Sequence, residues 1–350
     1  MNNKDNRFST VKAIGIILMV IGHSGCPDYF HRIIYYFHMP LFFFCSGYFY
    51  MKPITANDCA IAIRKKIKGL YFPYLKWSLF FLFLHNIFFR IGLYNGYYGY
   101  EGHVFNSYSF TDFLKRIAYI VFTMDKHEPL LGGFWFLKVL LLSSIIVVVC
   151  TYIMRRYSTR WTVLIFIVAL FISKYFSFSL PFVGNLSVII MGALFFLFGY
   201  EYKKIENVFF YKWSLVIALS ACLIVFSISS YSISMFCSFS ETFLYLPLAL
   251  IGFLSTFALS YKLDAYKWRL ALYEIGQYTL KILALHFLAF KAVSLFLIQY
   301  KSLPIERLSE LPVILFENDK TCFVYSFVGV LLPILVTKLF KRAYILFIKN

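Results

Sequence analysis

The sequence contains few charged residues for its length. Charged side chains make up 14% of its 350 residues, whereas hydrophobic side chains make up 61%. A soluble domain carries roughly 25% charged residues to cover its surface. The composition therefore excludes an ordinary water-soluble domain. Apolar runs follow one another along the chain instead, and many approach the roughly 20 residues that a helix needs to cross a bilayer.

The chain also lacks the short alternating segments of a transmembrane barrel. Backbone amides in lipid must bond within the protein, so the long apolar runs are predicted to be helices. The seven cysteines are scattered, show no CxxC spacing and fall mostly inside apolar runs. Cysteine behaves there as a small hydrophobic residue, so we expect neither a disulfide framework nor a metal site.

Ten apolar runs predict an all-α, polytopic membrane protein with about ten transmembrane helices. No internal repeat or polar linker divides the sequence, so residues 1–350 are expected to form a single integral-membrane domain. The predicted spans cover residues 10–27, 31–51, 71–92, 133–152, 161–177, 186–200, 213–231, 242–261, 273–298 and 322–341.

Acidic residues are scarce, and the more numerous basic residues are distributed unequally between the two sides of the predicted spans. The chain has 16 Asp and Glu against 34 Lys and Arg, which gives a net charge of +18. The basic residues lie in short loops, and more than twice as many fall on the amino-terminal side of the predicted spans as on the opposite side. This positive-inside pattern predicts that both termini are cytoplasmic. It also accounts for the charge without a nucleic-acid partner.

Two segments outside the spans stand out. Residues 52–70 mix isoleucines with lysines and arginine, which suits a helix at the cytoplasmic membrane surface. Such a helix binds anionic lipid or a phosphorylated substrate, and the sequence leaves both open. Residues 93–132 form the longest predicted external loop. The loop is rich in tyrosine and glycine, which fits an aromatic belt or a surface that stacks on sugar rings.

Three histidines fall inside predicted spans, where ionisable groups are costly and point to function. Ten residues separate Lys12 from His23, so His23 is expected about 16 Å beyond Lys12 at the helical rise of about 1.5 Å per residue. The same arithmetic places His38 and His286 near the middle of the bilayer. Each histidine alone also fits a structural role, such as a bond to a neighbouring helix.

At these residues the sequence resembles the acyltransferase family 3 membrane proteins. That family opens with Arg or Lys, ten residues and His, as Lys12 and His23 do here. It continues with a segment similar to FHMPLFFFCSGYF at residues 37–49. Weaker similarities follow. They are the basic stretch 64–68 before Pro73-Tyr74, Trp135-Phe136-Leu137, and Ile275-Gly276 with Thr279-Leu280 and His286.

The resemblance implies an O-acyltransferase of the bacterial inner membrane that modifies extracytoplasmic glycans or lipid-linked sugars. The expected donor is acyl-CoA, most simply acetyl-CoA, as a co-substrate without any cofactor. Imidazole serves as base or nucleophile near neutral pH, so His23 is the expected catalytic residue, with His38 and His286 as possible support. Phosphates of the donor need cations at the cytoplasmic mouth. The candidates are Lys12, Arg64, Lys65 and Lys68, with Lys66 beside them.

Several residues keep two interpretations. Trp135 and Phe136 fit an acceptor channel or an aromatic belt, and Ser46-Gly47 favours close helix packing over a nucleophile. The alternative function is a transporter or exporter of a glycan or lipid-linked precursor, although no repeated halves are visible. A b-type haem protein is a further alternative, because histidines within a membrane also serve as axial ligands.

Overall fold

Helices dominate the computed structural model, which describes residues 3–100, 103–181, 183–206, 212–228, 232–316 and 320–349. The α-helices are numbered in chain order. They are α1 (Asn3–Gly22), α2 (Asp28–Tyr48), α3 (Ala56–Lys66), α4 (Phe72–Arg90), α5 (Phe110–Thr123), α6 (Trp135–Ile153), α7 (Thr159–Tyr175), α8 (Leu186–Ile205), α9 (Trp213–Ile228), α10 (Phe239–Leu263), α11 (Arg269–Gln277), α12 (Thr279–Tyr300) and α13 (Thr321–Lys349).

Shorter elements connect these helices. A π-helical turn at Ile67–Tyr71 joins α3 to α4, and 3-10 turns lie at Pro129–Phe134 and Ile305–Ser309. The strands form two small antiparallel hairpins. The first pairs β1 (Gly99–Tyr100) with β2 (His103–Val104), and the second pairs β3 (Ser179–Leu180) with β4 (Gly184–Asn185). The prediction of an all-α membrane protein is confirmed at this level.

A helix lies at each of the ten predicted spans, and five described segments are long and apolar enough to cross a membrane. The number of ten crossings and the cytoplasmic location of both termini stay predictions. The five segments are Pro129–Ile153, Leu186–Ile205, Phe239–Leu263, Thr279–Tyr300 and Thr321–Tyr344.

Two predicted boundaries are wrong. The first span was expected to run to residue 27, but α1 ends at Gly22 because Gly25 adopts a left-handed backbone with φ of 75° and Pro27 caps α2. His23 therefore lies in the turn that follows α1. The ninth span is interrupted between α11 and α12. Its Gly276 packs so closely on the Ser9 carbonyl of α1 that a β-carbon there would overlap it.

Both segments predicted outside the spans contain a helix with a capping box. Thr55 and Asp58 bond reciprocally at the start of α3, and Ser109 and Asp112 do so at the start of α5. The basic segment 52–70 is thus helical over much of its length, as predicted. The long loop 93–132 is more ordered than its Tyr- and Gly-rich sequence indicates, because it also holds the first β-hairpin and a 3-10 turn.

Helix α2 lies at the centre of the packing. It contacts α1, α8, α9 and α10, while α1 also packs on α11, α12 and α13. Gly47 of α2 abuts the Phe196 carbonyl of α8, and Gly199 of α8 abuts the Phe44 carbonyl of α2. Small residues at both contacts let the two backbones approach, as is typical of membrane helices. The packing interpretation of Gly47 is confirmed, and this core places the end of α1 beside α12.

Candidate functional site

One large cavity lies among the helices. Its volume is about 1610 Å³, and it is lined by residues of α1, α2, α3, α6, α12 and the segment between α4 and α6. A site for one small ligand usually measures roughly 300–1,000 Å³. The cavity therefore has room for two substrates. Of the residues predicted from the sequence, it brings together Lys12, His23, His38, Lys65, Trp135 and Phe136.

The three predicted histidines share one hydrogen-bonding arrangement. In each ring Nδ1 lies against a backbone carbonyl one turn earlier in the chain. A carbonyl only accepts, so Nδ1 carries the proton and donates it, which leaves Nε2 with a free lone pair. The Nδ1 to oxygen distances are 2.9 Å from His23 to Met19, 2.7 Å from His38 to Ile34 and 3.1 Å from His286 to Ile282.

His23 lines the cavity and lies next to His286. Its ring centroid is 5.5 Å from that of His286 and 5.2 Å from that of Phe287, which it meets edge-on. His286 lies behind His23, outside the cavity lining, and is fully buried with no partner at Nε2 among the described residues. His38 lines the cavity, with Tyr35 packed between it and His23. The structure thus places all three imidazoles in one neighbourhood.

The cations of α3 and of the π-helical turn after it are divided between two sites. Lys65 and Lys66 line the large cavity, as Lys12 does, but Arg64 and Lys68 do not. These two lie four residues apart, which places them on the same side of the helix. With Lys76 and Lys281 they line a separate recess of about 700 Å³. The sequence could not predict which of these cations line which site, because all of them are basic.

Lys66 is the α3 cation most enclosed by protein. Its Nζ donates a 2.7 Å hydrogen bond to Ser46 Oγ and lies 4.9 Å from the centroid of the Phe196 ring. Burial lowers the pKa of Lys66 from its usual value to about 8. Near neutral pH it is therefore still a cation, and it faces a cavity that can accept an anion.

Trp135 and Phe136 begin helix α6 and both line the cavity. Phe136 is packed against Phe42 and Phe43, with ring centroids 5.6 and 5.2 Å apart. Trp135 meets Phe236 edge-on at 5.0 Å. Phe136 is therefore a packed part of the cavity wall. Trp135 and Phe236 form a pair of aromatic rings that also lines the cavity.

Sequence reasoning missed a buried pair formed by His85 and Glu128. Nδ1 of His85 lies 2.7 Å from Oε2 of Glu128, and the two side chains are 1% and 0% exposed. The other ring nitrogen donates to the Asn106 carbonyl at 2.9 Å, and the ring stacks on Tyr108 with centroids 3.4 Å apart. The pair fastens the segment between α4 and α6 onto α4. His85 could have been found by the rule that singled out the other histidines, since it also lies in a predicted span.

Replacing Glu128 with leucine is expected to destabilise the protein by about 3–5 kcal/mol, because leucine cannot accept the bond from His85 and one partner of a buried pair is left without its counterpart. The measurement is thermal unfolding of the purified protein in detergent. A double variant with His85→Asn should lose clearly less than the sum of the single losses. Strictly additive losses would show that the two side chains do not act as a pair.

Comparison with known proteins gives a match along most of the chain. The profile of the family described as an acyltransferase domain matches residues 5–337. The nodulation protein NolL of Sinorhizobium fredii (strain NBRC 101917 / NGR234) is 36% identical over 88 residues, which cover 22% of this chain and 24% of NolL. The matched region is thus about a quarter of that relative's length. No solved structure matches the chain significantly.

Proposed function

The chain belongs to the acyltransferase family 3, and on this premise we propose that it transfers an acyl group from cytoplasmic acyl-CoA to a hydroxyl of an extracytoplasmic glycan or lipid-linked sugar. The observation that carries this proposal is the single cavity. It extends from the basic helix on the predicted cytoplasmic side, past His23, to the segment predicted to be external. Both substrates therefore have a route to one imidazole inside a single integral-membrane domain of the bacterial inner membrane.

The donor enters at the basic end in this scheme. Lys12, Lys65 and Lys66 bind its phosphates through charge-assisted hydrogen bonds. Beyond them the cavity wall becomes apolar at Ile16 and Met19, which suits the thioester arm. Acetyl is the expected acyl group. Arg64 and Lys68 lie in the neighbouring recess, so they take part only if the donor extends into it.

His23 acts as the general base. Its free Nε2 takes the proton from the acceptor hydroxyl while the hydroxyl oxygen attacks the thioester carbonyl. The carbon–sulfur bond then breaks, and the proton passes from His23 to the departing CoA thiolate. The products are the acyl ester and free CoA. The Nδ1 bond to Met19 fixes the tautomer that this step requires.

The other two histidines are positioning residues in this proposal. His286 packs its ring beside His23 from the side opposite the cavity and limits the rotation of His23. His38 presents its ring to the cavity, where its Nε2 can hold the acceptor hydroxyl. Trp135 lines the acceptor's path at the start of α6.

Replacing Lys66 with alanine is expected to raise the KM for acetyl-CoA by roughly 10–100-fold, since a hydrogen bond to a charged group contributes about 1.5–3 kcal/mol. Lys267→Ala is the matched control and should leave this KM unchanged, because Lys267 is exposed and lines neither the cavity nor the recess. Arg64→Ala and Lys68→Ala then show whether the recess belongs to the donor site. An unaltered KM in Lys66→Ala would remove Lys66 from the proposal.

The lowered pKa of Lys66 predicts that the KM for acetyl-CoA depends on pH. The pKa of Lys66 is lowered to about 8 by burial, so its charged form is present below that pH and is lost above it. The KM for acetyl-CoA should therefore rise as the pH increases beyond about 8. Lys66→Arg should keep its affinity at higher pH, because arginine stays protonated.

The proposed function is tested with the protein reconstituted in vesicles. Labelled acetyl-CoA is supplied on the cytoplasmic face and a surface polysaccharide on the other, and the label on the polysaccharide is measured. Acetylated polysaccharide supports the proposal. Movement of unmodified polysaccharide across the membrane without labelling would favour the transporter alternative.

A further inference from the structure

The part of the cavity lined by α5 and the loop after it carries positive charge that the positive-inside rule does not explain. Arg116 of α5 and Lys126, just before the 3-10 turn, both line it. The positive-inside rule accounts for basic residues on the cytoplasmic side, but these two lie in the segment predicted to be external. Cations in such a place need another reason, and a ligand in the cavity is one.

Within the described ranges, neither Arg116 nor Lys126 forms an ion pair with a carboxylate. Asp125 accepts a 2.7 Å bond from Lys138, Glu128 is paired with His85, and Asp112 caps α5. Among the described residues the acidic side chain that lines the cavity is Asp58, which takes part in the capping box of α3. Glu101 lies outside the described residues. Asp112 lies one helical turn before Arg116 and offsets part of its charge, whereas Lys126 lines the cavity without an ion-pair partner among the described residues.

The loop that carries Lys126 is held in a strained conformation. Met124 and Lys126 have φ angles of 53° and 55°, in the left-handed region that residues other than glycine adopt at a cost. Three contacts hold the loop in place. These are the bond from Lys138 to Asp125, the His85–Glu128 pair, and a 3.2 Å hydrogen bond from Arg116 Nη1 to the Lys126 carbonyl. Strain maintained in this way is typical of binding sites.

His127 follows Lys126 in this loop and also faces the cavity. Its Nδ1 is buried and has no partner among the described residues. Burial lowers the pKa of His127 to about 4, so the ring is neutral near pH 7 and offers hydrogen bonds without charge. The Tyr108 ring lies between the His85 ring, whose centroid is 3.4 Å away, and the Arg116 guanidinium, which is 4.1 Å from the Tyr108 centroid, so Tyr108 holds Arg116 in place.

We propose that this outer vestibule, formed by Arg116, Lys126, His127 and Tyr108, binds an acceptor glycan that carries a negative charge near the hydroxyl to be acylated. The charge is a carboxylate or a phosphate, since both accept charge-assisted hydrogen bonds from arginine and lysine. His127 bonds a sugar hydroxyl, and Tyr108 positions the Arg116 guanidinium. The inference rests on the proposed function and names the class of its acceptor.

The test compares three trisaccharides with related ring hydroxyls. One consists of galactose, one of galacturonic acid, and one of galactose with a phosphate at its terminal sugar. Binding to the detergent-solubilised protein is measured by titration at low and high salt. At least one anionic trisaccharide should bind tenfold or more tightly than the neutral one, and the difference should shrink at high salt. The tighter anionic probe identifies the preferred group.

The variant Lys126→Asn removes the charge, and asparagine tolerates the left-handed backbone of this position. It should abolish most of the preference for the anionic trisaccharide. Lys115→Asn is the matched control, because Lys115 is exposed on α5 and does not line the cavity. Equal binding of charged and neutral trisaccharides by the unaltered protein would overturn the proposal, as would an unchanged preference in Lys126→Asn.

Failure of this inference is distinguishable from failure of the proposed function. Acetyl-CoA binding and acetyl transfer to the neutral trisaccharide are measured on the same preparation. If the protein acetylates charged and neutral trisaccharides with equal efficiency, the acyltransferase proposal stands and the anionic acceptor is excluded. If the protein does not bind acetyl-CoA, the proposed function itself is wrong.

Discussion

Replacing His23 with alanine is expected to lower the rate of acyl transfer by roughly 100- to 10,000-fold, the usual contribution of a general base. The binding of acetyl-CoA should change little, because the proposed phosphate ligands are Lys12, Lys65 and Lys66. The expected signature is therefore a loss in kcat with a nearly constant KM for the donor. The measurement is initial-rate kinetics with labelled acetyl-CoA on protein of verified monodispersity.

A matched histidine controls for damage to the fold. His31 lies on the next helix, is partly exposed and stacks on Tyr35, but it does not line the cavity. His31→Ala should keep most of the activity. His23→Gln keeps the size of the side chain without a base and should be as inactive as His23→Ala. Substantial activity in either His23 variant would exclude His23 as the base.

Replacing Gly47 with alanine is expected to prevent stable folding. A β-carbon at this position would overlap the carbonyl oxygen of Phe196 in α8. That oxygen belongs to backbone and cannot rotate away as a side chain can, so α2 and α8 would have to separate. Overpacking of a core costs about 1–3 kcal/mol or more, and a clash between two backbones lies at or beyond the upper limit. The measurement is the yield of monodisperse protein and its melting temperature in detergent.

Gly69→Ala is the control for this prediction. Gly69 lies in the helical turn after α3, and a β-carbon there would meet no atom within 4 Å. Alanine also favours the helical state over glycine. The melting temperature of Gly69→Ala should therefore stay the same or rise. A Gly47→Ala protein as stable as Gly69→Ala would show that α2 and α8 do not pack as described.

The helices were predictable because a bilayer imposes a simple rule on local sequence. Apolar runs of sufficient length must be helical wherever they lie in lipid, whatever they contact. Helix ends were less predictable. α1 ends at Gly22 because Gly25 and Pro27 form a turn, and α11 separates from α12 where Gly276 meets Ser9. The break between α11 and α12 involves α1, which is distant in the sequence.

The candidate site was predictable in part. His23, His38 and His286 stood out since an ionisable group in an apolar run has a clear cost. Glu128 did not stand out, because glutamate in a polar loop is ordinary until folding buries it against His85. The sequence also did not show that Lys65 and Lys66 line the cavity while Arg64 and Lys68 line the recess. A helix points neighbouring side chains to different sides, and the sequence does not tell which side faces the cavity.

The sequence alone determined the helical membrane class and the resemblance to the acyltransferase family 3, and it singled out His23. This information lies in the local composition and in the motif from Lys12 to residue 49. A lipid environment requires apolar residues in the spans, and the proposed reaction requires an imidazole at one position. Only the tertiary structure decided that one cavity is lined by the basic helix, His23 and the segment between α4 and α6. It also decided that the loop acids are paired while Arg116 and Lys126 face that cavity. These properties depend on contacts between residues distant in the chain, which periodicity and spacing do not record.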